Sequence, residues 1–377
     1  MPPDLDPLRR DIDEIDAQLI ELLARRRSLS VDMARAKEAD ATAFKDDARE
    51  RTLLERRLEA GAQHGLDATL VTRLWREILD DSLRIQHGWV QDAGGHRPMV
   101  AAFQGIEGAY SHLASQEFFE GRQGPVTHLG CRTFAEAVAA VEEGRADVAV
   151  LPTENTTSGA ISEVYDLLMH SRLSVVGEIR FRVRHCLLGL EGADPDRIER
   201  IYCHPQAVLQ CSEFLAGLEG VEVHYFGDTA MSGLRIKELG DPAAAAIASE
   251  EAARHLGLDV LRRDIANRTE NYTRFLVAAR TPIEVDRRIP TKTSLVMAVG
   301  NRPGALLDAL ACFRDEDINL VKLESRPVPR NPSEEMFYLD LDGNVTDPAV
   351  ERALAALSEQ AAYVKVLGSY PSRDLRR

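Results

Sequence analysis

The sequence predicts a multidomain chain: an all-α N-terminal region, a two-lobed α/β middle region and a small βαββαβ C-terminal region. Three observations lead there. Through about residue 90, glycine and proline are scarce and apolar residues recur at helical spacing. From Met99 to about Arg280, short apolar runs alternate with helical stretches. Beyond a linker at Arg287 to Thr293, the pattern runs strand, helix, strand, strand, helix, strand, the ferredoxin-like order. A chain of 377 residues exceeds one ordinary core.

The first ~40 residues read as one amphipathic helix. Leu8, Ile12, Ile15, Leu19, Leu22, Leu29 and Met33 form its seam, with a single gap at Arg26. A guanidinium in an apolar seam costs several kcal/mol unless an anion neutralises it. Lys37 lies about three turns along nearly the same face, roughly 16 Å away at ~1.5 Å per residue, so the two cations can grip opposite ends of a small anion. Asp47 and Glu50 make a D-x-x-E capping box for a second helix ending near Gly61. Asp46, Arg49 and Glu50 share one face at its start. Asp67 caps a third helix running to about His87, whose stripe Val71, Trp75, Ile78 turns polar at Ser82 and Gln86. Taken singly, these features have plain structural readings: an ion pair at Arg26, capping at Asp46 and Glu50, a solvated end at Ser82 and Gln86. Together they describe a binding site in a helix bundle. Arg9 lies 28 residues from Lys37, roughly 42 Å along a straight helix, and cannot serve its own chain's site. An antiparallel homodimer would bring it to the partner's pocket and cover the apolar seam.

The middle region follows a linker at Gln91 to Pro98 and places its polar residues at strand ends. Val148 to Leu151 leads into the loop Pro152 to Gly159, whose hydroxyls and amides suit an anion beyond the carboxyl end of a strand. The run Phe103 to Ser111 is glycine-containing but lacks the dinucleotide fingerprint. His204-Pro205-Gln206 follows the apolar pair Ile201-Tyr202, and Asn271 to Phe275 sets a hydroxyl and a guanidinium at the start of a strand.

The net charge of −15 argues against nucleic acid or an anionic membrane as main partner, although arginines can cluster locally for small anions. No apolar run reaches the ~20 residues of a membrane span, and Met1 to Asp6 has no signal-peptide pattern, so a cytoplasmic location is expected. Five scattered cysteines without a CxxC, and histidines without HExxH, favour reduced thiols and no metal or cofactor.

The helical residues, from L-R-x-x-I-D-x-I-D through R-R-R, A-K, D-x-x-R-E and D-S-x-x-x-Q, resemble the all-helical chorismate mutases, specifically the N-terminal domain of the bifunctional chorismate mutase/prephenate dehydratases. The resemblance implies a mutase domain at 1–91. It puts Arg26, Arg49 and the partner's Arg9 on the substrate carboxylates, Lys37 and Gln86 at the ether oxygen, and Asp46, Glu50 and Ser82 around the hydroxyl and a carboxylate. Such an intramolecular rearrangement needs a compact conformer and positive charge at the breaking C–O bond, not a nucleophile or metal.

P-x-E-N-x-x-x-G at Pro152 to Gly159, H-P-Q at His204 to Gln206 and T-R-F at Thr273 to Phe275 resemble prephenate dehydratase and imply such a domain at 98–281. By that resemblance Thr273 is catalytic, helping the ring hydroxyl leave as carbon dioxide is lost, and Arg274 binds a carboxylate. Threonine is a poor acid, so Thr273 is expected to donate a hydrogen bond or relay a proton. Glu154, Asn155, Thr156, Ser158, His204, Gln206, Thr229 and Ala230 are the further pocket candidates. The sequence departs from the family at Cys203, Gln104, Ile106 and Ala109, which leaves room for the related substrate arogenate.

Residues 291–377 resemble the ACT regulatory domain of the same enzymes, with Gly304-Ala305-Leu306 and Glu324-Ser325-Arg326-Pro327 as the phenylalanine-binding elements. There Gly304 would allow close approach of a ligand backbone. The expected protein is a homodimer, joined through the helical domain and the ACT domain. It would convert chorismate to prephenate and then to phenylpyruvate, with phenylalanine as effector. The alternatives are a mutase fused to arogenate dehydratase, and a phenylalanine-binding regulatory protein with degenerate catalytic lobes.

Overall fold

The computed structural model describes residues 5–39, 47–91, 97–120, 122, 124–285, 289–328 and 331–372. The N-terminal region is α1 (Leu5–Ala39), α2 (Asp47–Gln63) and α3 (Ala68–Gln91). As the spacing predicts, α1 is continuous, and Asp67 caps α3 by accepting from the amides of Thr69 and Leu70 at 2.9 and 3.1 Å. The expected Asp47/Glu50 capping box involves side chains outside the described set. The Arg57 guanidinium stacks on Trp75, 4.8 Å from the ring centre, and joins α2 to α3.

The middle region runs β1 (Met99–Gln104), α4 (Tyr110–Phe118), β2 (Val126–Cys131), α5 (Phe134–Glu142), β3 (Val148–Asn155), β4 (Gly159–Ala160), α6 (Ser162–His170) and β5 (Ser174–Arg182). It continues with β6 (Cys186–Gly189), β7 (Arg200–Cys203), α7 (Pro205–Gln210), α8 (Ser212–Ala216), β8 (Glu222–Tyr225), α9 (Thr229–Leu239), β9 (Ala244–Ala248), α10 (Glu250–Leu256), β10 (Asp259–Arg262) and β11 (Tyr272–Ala279). Two mixed sheets result, in the orders β2-β1-β3-β11-β5 and β10-β6-β9-β7-β8. The chain leaves the first sheet after β5, builds the second, and returns through β11 to lie between β3 and β5, so the last strand closes the first lobe.

One expectation changes here. Pro152 to Asn155 are the end of a strand, not a loop, and the turn beyond them folds straight back into β4. Proline is tolerated because the β3–β11 register shifts beside it: Arg274 faces Glu154, Phe275 faces Pro152, and Thr153 is the extra residue. The Thr153 hydroxyl donates to the Arg274 carbonyl at 3.2 Å, and its own carbonyl accepts from Ile161. The bulge sets the last two pairs, Glu154 with Arg274 and Asn155 with Thr273.

The C-terminal region is β12 (Thr291–Ala298), α11 (Ala305–Asp315), β13 (Leu320–Val328), β14 (Asn331–Asp342), α12 (Pro348–Gln360) and β15 (Tyr363–Pro371), an antiparallel sheet in the order β13-β14-β12-β15. The βαββαβ order holds, although β12 begins inside the stretch read as linker. Strand alternation divides its side chains between two cores. Leu295, Met297, Phe337 and Leu339 pack under α11 and α12. Val296, Ala298, Met336 and Tyr338 share a core with Leu151, Val164, Leu168 and Leu276 of the first lobe. Contact is close enough that a Cβ on Gly368 would overlap the Val175 carbonyl, so β15 meets β5 only as glycine.

Candidate active sites

In the helical region, Arg26 crosses from α1 to α3. Its guanidinium donates to the Ile78 carbonyl at 3.0 Å and to the Ser82 hydroxyl, and Ser82 is buried. Among the described residues no carboxylate lies within ion-pair distance of Arg26; the nearby Asp81 pairs with Arg27 at 3.0 Å. Burial lowers the Arg26 pKa, Asp81 opposes this, and Arg57 adds to it. The structure brings Arg26 and Ser82 together, and the acceptors of the Arg26 guanidinium among the described residues are neutral. Arg9 is exposed and touches Asp6 at 3.5 Å. Lys37, Arg49, Glu50 and Gln86 have side chains outside the described set, and Asp46 lies outside it entirely. The seam itself is open: Leu8, Ile12, Ile15, Leu19, Leu22, Leu29 and Met33 are 40 to 61% exposed in the single chain.

In the middle region, Asn155 is the hub. Its Oδ1 accepts from the backbone amides of Thr157 and Ser158 at 2.9 and 3.0 Å, and from their hydroxyls at 2.6 and 3.1 Å. Two backbone donors fix which end of the amide is oxygen, so the nitrogen must face the other way. Nδ2 donates to Asn271 Oδ1 at 2.7 Å, to the Tyr272 carbonyl at 3.2 Å and to Thr273 Oγ1 at 2.9 Å. Thr273 is thus an acceptor toward the protein, and its own proton is left to point elsewhere.

The second lobe reaches this hub through α7. Gln210, the last residue of that helix, donates from Nε2 to Thr157 Oγ1, Ser158 Oγ and Asn155 Oδ1 at 2.8, 3.0 and 3.2 Å. Its Oε1 lies 2.7 Å from His185 Nε2, and the other nitrogen of His185 lies 3.1 Å from the Tyr110 hydroxyl. Burial lowers the His185 pKa, the Gln210 hydrogen bond opposes this, and His204 reinforces it. Gln210 and His185 carry no sequence signal, and Asn271 and Thr157 stand only as members of flagged runs; the chain reversal into β11 brings Asn271 to Asn155, and the placement of α7 brings Gln210, with His185 behind it.

Other candidates fall differently. His204 caps α7, its Nδ1 accepting from the Gln206 amide at 3.2 Å. Its pKa is lowered by burial, with Asp228 opposing. Thr156 braces β3 against β11, accepting from the Tyr272 amide at 3.0 Å. Thr229 opens α9, which Asp228 caps through the Met231 amide, and Ala230 is fully buried in the second lobe's core. Cys203 is equally buried, with its thiol pushed up to about 11 by burial.

Arg274 corrects an expectation. Its guanidinium does not join the hydroxyl cluster: Nε meets Glu178 at 2.8 Å, one terminal nitrogen Asp340 at 2.5 Å, and the other Tyr370 at 2.9 Å, with Glu154 at 3.6 Å. Successive residues of a strand face opposite sides, so a residue beside Thr273 points toward the C-terminal sheet. Glu154, likewise beside Asn155, is held by Lys322. Burial raises the Glu154 pKa, but Lys322, Arg274 and Arg180 outweigh it and bring the group below its ordinary value.

In the C-terminal sheet, Gly304 opens α11 at φ +84° with open space around it, so its glycine is required by backbone conformation and not by crowding. Ala305 is buried and Leu306 packs on the same core. Glu324 is half-buried and Ser325 exposed, whereas Arg326 forms a bidentate pair with Asp166 at 2.8 and 2.5 Å. The Pro327 side chain is outside the described set. Among the described residues no group of histidines, cysteines or carboxylates has metal-site geometry, and no helix is long and apolar enough to cross a membrane.

Comparison with known proteins matches these regions to two families. Residues 8–87 match the chorismate mutase type II model and residues 101–283 the prephenate dehydratase model. The bifunctional chorismate mutase/prephenate dehydratase of Enterobacter agglomerans is 41% identical, covering 98% of this chain and 96% of that one. Among solved structures, a prephenate dehydratase from Arthrobacter aurescens in complex with L-Phe is 29% identical, with TM-score 0.67 over 73% of this chain and 90% of that one. A chain described as a novel type of quorum quenching acylase, GqqA, is 36% identical with TM-score 0.67, over 74% of this chain and all of that one. The chain belongs to the bifunctional chorismate mutase/prephenate dehydratases, enzymes that rearrange chorismate and dehydrate prephenate within one polypeptide.

Proposed function

We propose that the two reactions occupy separate sites, the mutase in 1–91 and the dehydratase in 98–281, and that residues 291–377 are an ACT domain through which phenylalanine inhibits the dehydratase. The observation that carries the dehydratase assignment is the Asn155–Thr273 hydrogen bond, in which threonine accepts.

Prephenate loses carbon dioxide from one ring carbon, the electron pair moves through the ring, and the hydroxyl on the opposite carbon departs. That hydroxyl leaves as water only if it gains a proton or a strong donor as its bond breaks. With a lone pair occupied by Asn155, the Thr273 O–H is directed outward to the leaving oxygen. A proton from solvent completes the water. The hydroxyls of Thr157 and Ser158, which donate to Asn155 Oδ1 and accept from Gln210, brace Asn155 so that its nitrogen stays on Thr273. His204 and the N-terminus of α9 at Thr229 lie at the other lobe's strand ends, where such sheets bind ligands.

In the mutase, Arg26, Arg49 and the partner's Arg9 hold the two carboxylates, Lys37 and Gln86 meet the ether oxygen as it gains negative charge, and Asp46, Glu50 and Ser82 orient the rest. The open seam of α1 supports the dimer, because burying seven large apolar residues against a second copy is worth roughly 1.5–3 kcal/mol each before ordering costs. The phenylalanine reading rests on the GAL and ESRP elements and on the L-Phe complex of the Arthrobacter relative. A cytoplasmic location follows the expectation from sequence.

The test assays the two steps separately, chorismate consumption and, with prephenate supplied, phenylpyruvate release, each with and without phenylalanine, and compares the turnover of prephenate with that of arogenate, the latter read as phenylalanine formed. Lys37→Ala abolishes only the first activity and Thr273→Ala only the second; loss of both in either folded variant overturns separate sites. Faster turnover of arogenate than of prephenate overturns the substrate assignment.

A further inference from the structure

The strand pair that presents Asn155 and Thr273 presents, one residue away and on the other face, Glu154 and Arg274. These two are anchored in the C-terminal sheet. Lys322 of β13 holds Glu154, and Asp340 of β14 and Tyr370 of β15 hold Arg274. Glu178 of β5 closes the cluster, binding Arg274 on one oxygen and Lys292 of β12 on the other at 2.9 Å. Three carboxylates and three cations meet here, nearly all buried. A second tie lies outside it, where Arg326 of β13 binds Asp166 of α6.

The spacing along β13 matters most. Lys322 and Arg326, the two residues that grip the dehydratase lobe, bracket Glu324 and Ser325 of the proposed effector element, and Arg326 belongs to that element itself. A ligand that shifts β13 therefore pulls on Glu154 directly, and Glu154 is covalently joined to the residue that positions Thr273. Buried ion pairs suit this role because their geometry is demanding: breaking one leaves an uncompensated charge, so the cluster moves as a unit or not at all.

We propose that the Lys322–Glu154–Arg274–Asp340 cluster, together with Arg326–Asp166, is the linkage by which occupancy of the C-terminal domain sets the Asn155–Thr273 geometry. Glu154 and Arg274 are then positioning residues that act through their strand neighbours. This inference rests on the phenylalanine reading above.

The experiment uses the full-length enzyme, L-phenylalanine and prephenate. Lys322→Met removes the charge from the effector side and Asp166→Asn weakens the outer tie; neither residue touches the hydroxyl cluster. Both variants are expected to keep dehydratase turnover within about threefold without phenylalanine and to bind phenylalanine by calorimetry. Each is expected to need at least tenfold more phenylalanine for half-inhibition, a loss of at least ~1.4 kcal/mol of coupling. Should Lys322→Met fail to fold, the half-exposed Asp166 pair carries the test. Folded variants that bind phenylalanine and are inhibited as the wild type overturn the linkage while leaving the effector reading intact. Loss of phenylalanine binding in the variants also overturns it, since the cluster would then only build the effector pocket. A wild-type enzyme that binds no phenylalanine overturns the effector reading and the linkage with it.

Discussion

Asn155 donates to Thr273 across β3 and β11 at 2.9 Å, and the direction of that bond decides what the threonine can do. An acceptor toward the protein is a donor toward the substrate. Thr273→Ala should therefore lower dehydratase kcat by 10²–10³-fold, the range for removal of one oriented donor, with mutase activity unchanged. Thr273→Ser restores the hydroxyl without the methyl group and should recover at least tenfold of the loss. Steady-state release of phenylpyruvate measures both; equal activity of the alanine and serine variants would refute the donor role.

Arg274 is next to Thr273 in sequence and on the other side of the sheet in space. Replacing it by methionine leaves Asp340 without its buried counter-charge and Glu178 with Lys292 alone. Breaking such a pair from one side costs about 3–5 kcal/mol, so Arg274→Met should lower denaturant-measured stability by that amount. A side chain serving only a substrate carboxylate would raise KM and leave stability unchanged, and unfolding curves beside KM values separate the two roles.

His112 is one of four histidines whose pKa burial lowers, and it contributes to the pH dependence of stability. It is 3% exposed, its Nδ1 accepts from the Gly108 amide at 3.1 Å, and the rings of His128 and His255 lie 5.2 and 5.8 Å away. Burial, then the neighbouring His128, lowers its pKa to about 4, with Glu107 opposing and His255 adding a smaller push. The folded value lies below the unfolded one, so the unfolded chain binds the extra proton between them. Stability from this group is complete above about pH 6.5 and is lost as pH falls toward 4, a swing of about 3 kcal/mol. In His112→Gln the melting temperature should fall less steeply between pH 6.5 and 4; an unchanged slope would assign the acid sensitivity elsewhere.

The residues of the hydroxyl cluster were only partly legible in the sequence, for a physical reason. Asn155, Ser158 and Thr273 sit in short motifs at the ends of apolar runs, so local pattern finds them. Gln210 lies within a helical stretch of the second lobe and meets Asn155 only because the end of α7 is set against the end of β3, while Asn271 arrives through the return of β11 between β3 and β5. No periodicity encodes that return. Pro152 opens the stretch that reads as a loop, yet the bulge at Thr153 lets the strand run through the proline to Asn155. Arg274 was placed on the substrate because its motif is read as a unit, whereas strand alternation sends adjacent residues to opposite faces. In the helical domain the reverse held: the seam, its break at Arg26 and the polar turn at Ser82 were all visible from 3.6-residue spacing, and the structure joins Arg26 to Ser82.

Arg9 yields the sharpest prediction about assembly. It sits near the start of a continuous 35-residue helix whose far end carries Lys37. The two are 28 positions apart, roughly 42 Å at ~1.5 Å per residue, well beyond the reach of both side chains. If Arg9 completes the partner's pocket, Arg9→Ala and Lys37→Ala homodimers each lose mutase activity, by at least 10²-fold, because every site lacks one cation. Unfolding and refolding the two together makes mixed dimers. In these, one site lacks both groups, while the other draws Lys37 from the Arg9→Ala chain and Arg9 from the Lys37→Ala chain and is intact. Random pairing gives half the dimers mixed with one good site each, so about a quarter of wild-type activity should return. Dehydratase activity should stay constant throughout and serves as the control for refolding. Absence of any recovery, with mixed dimers demonstrated by differently sized tags, would place Arg9 outside the pocket.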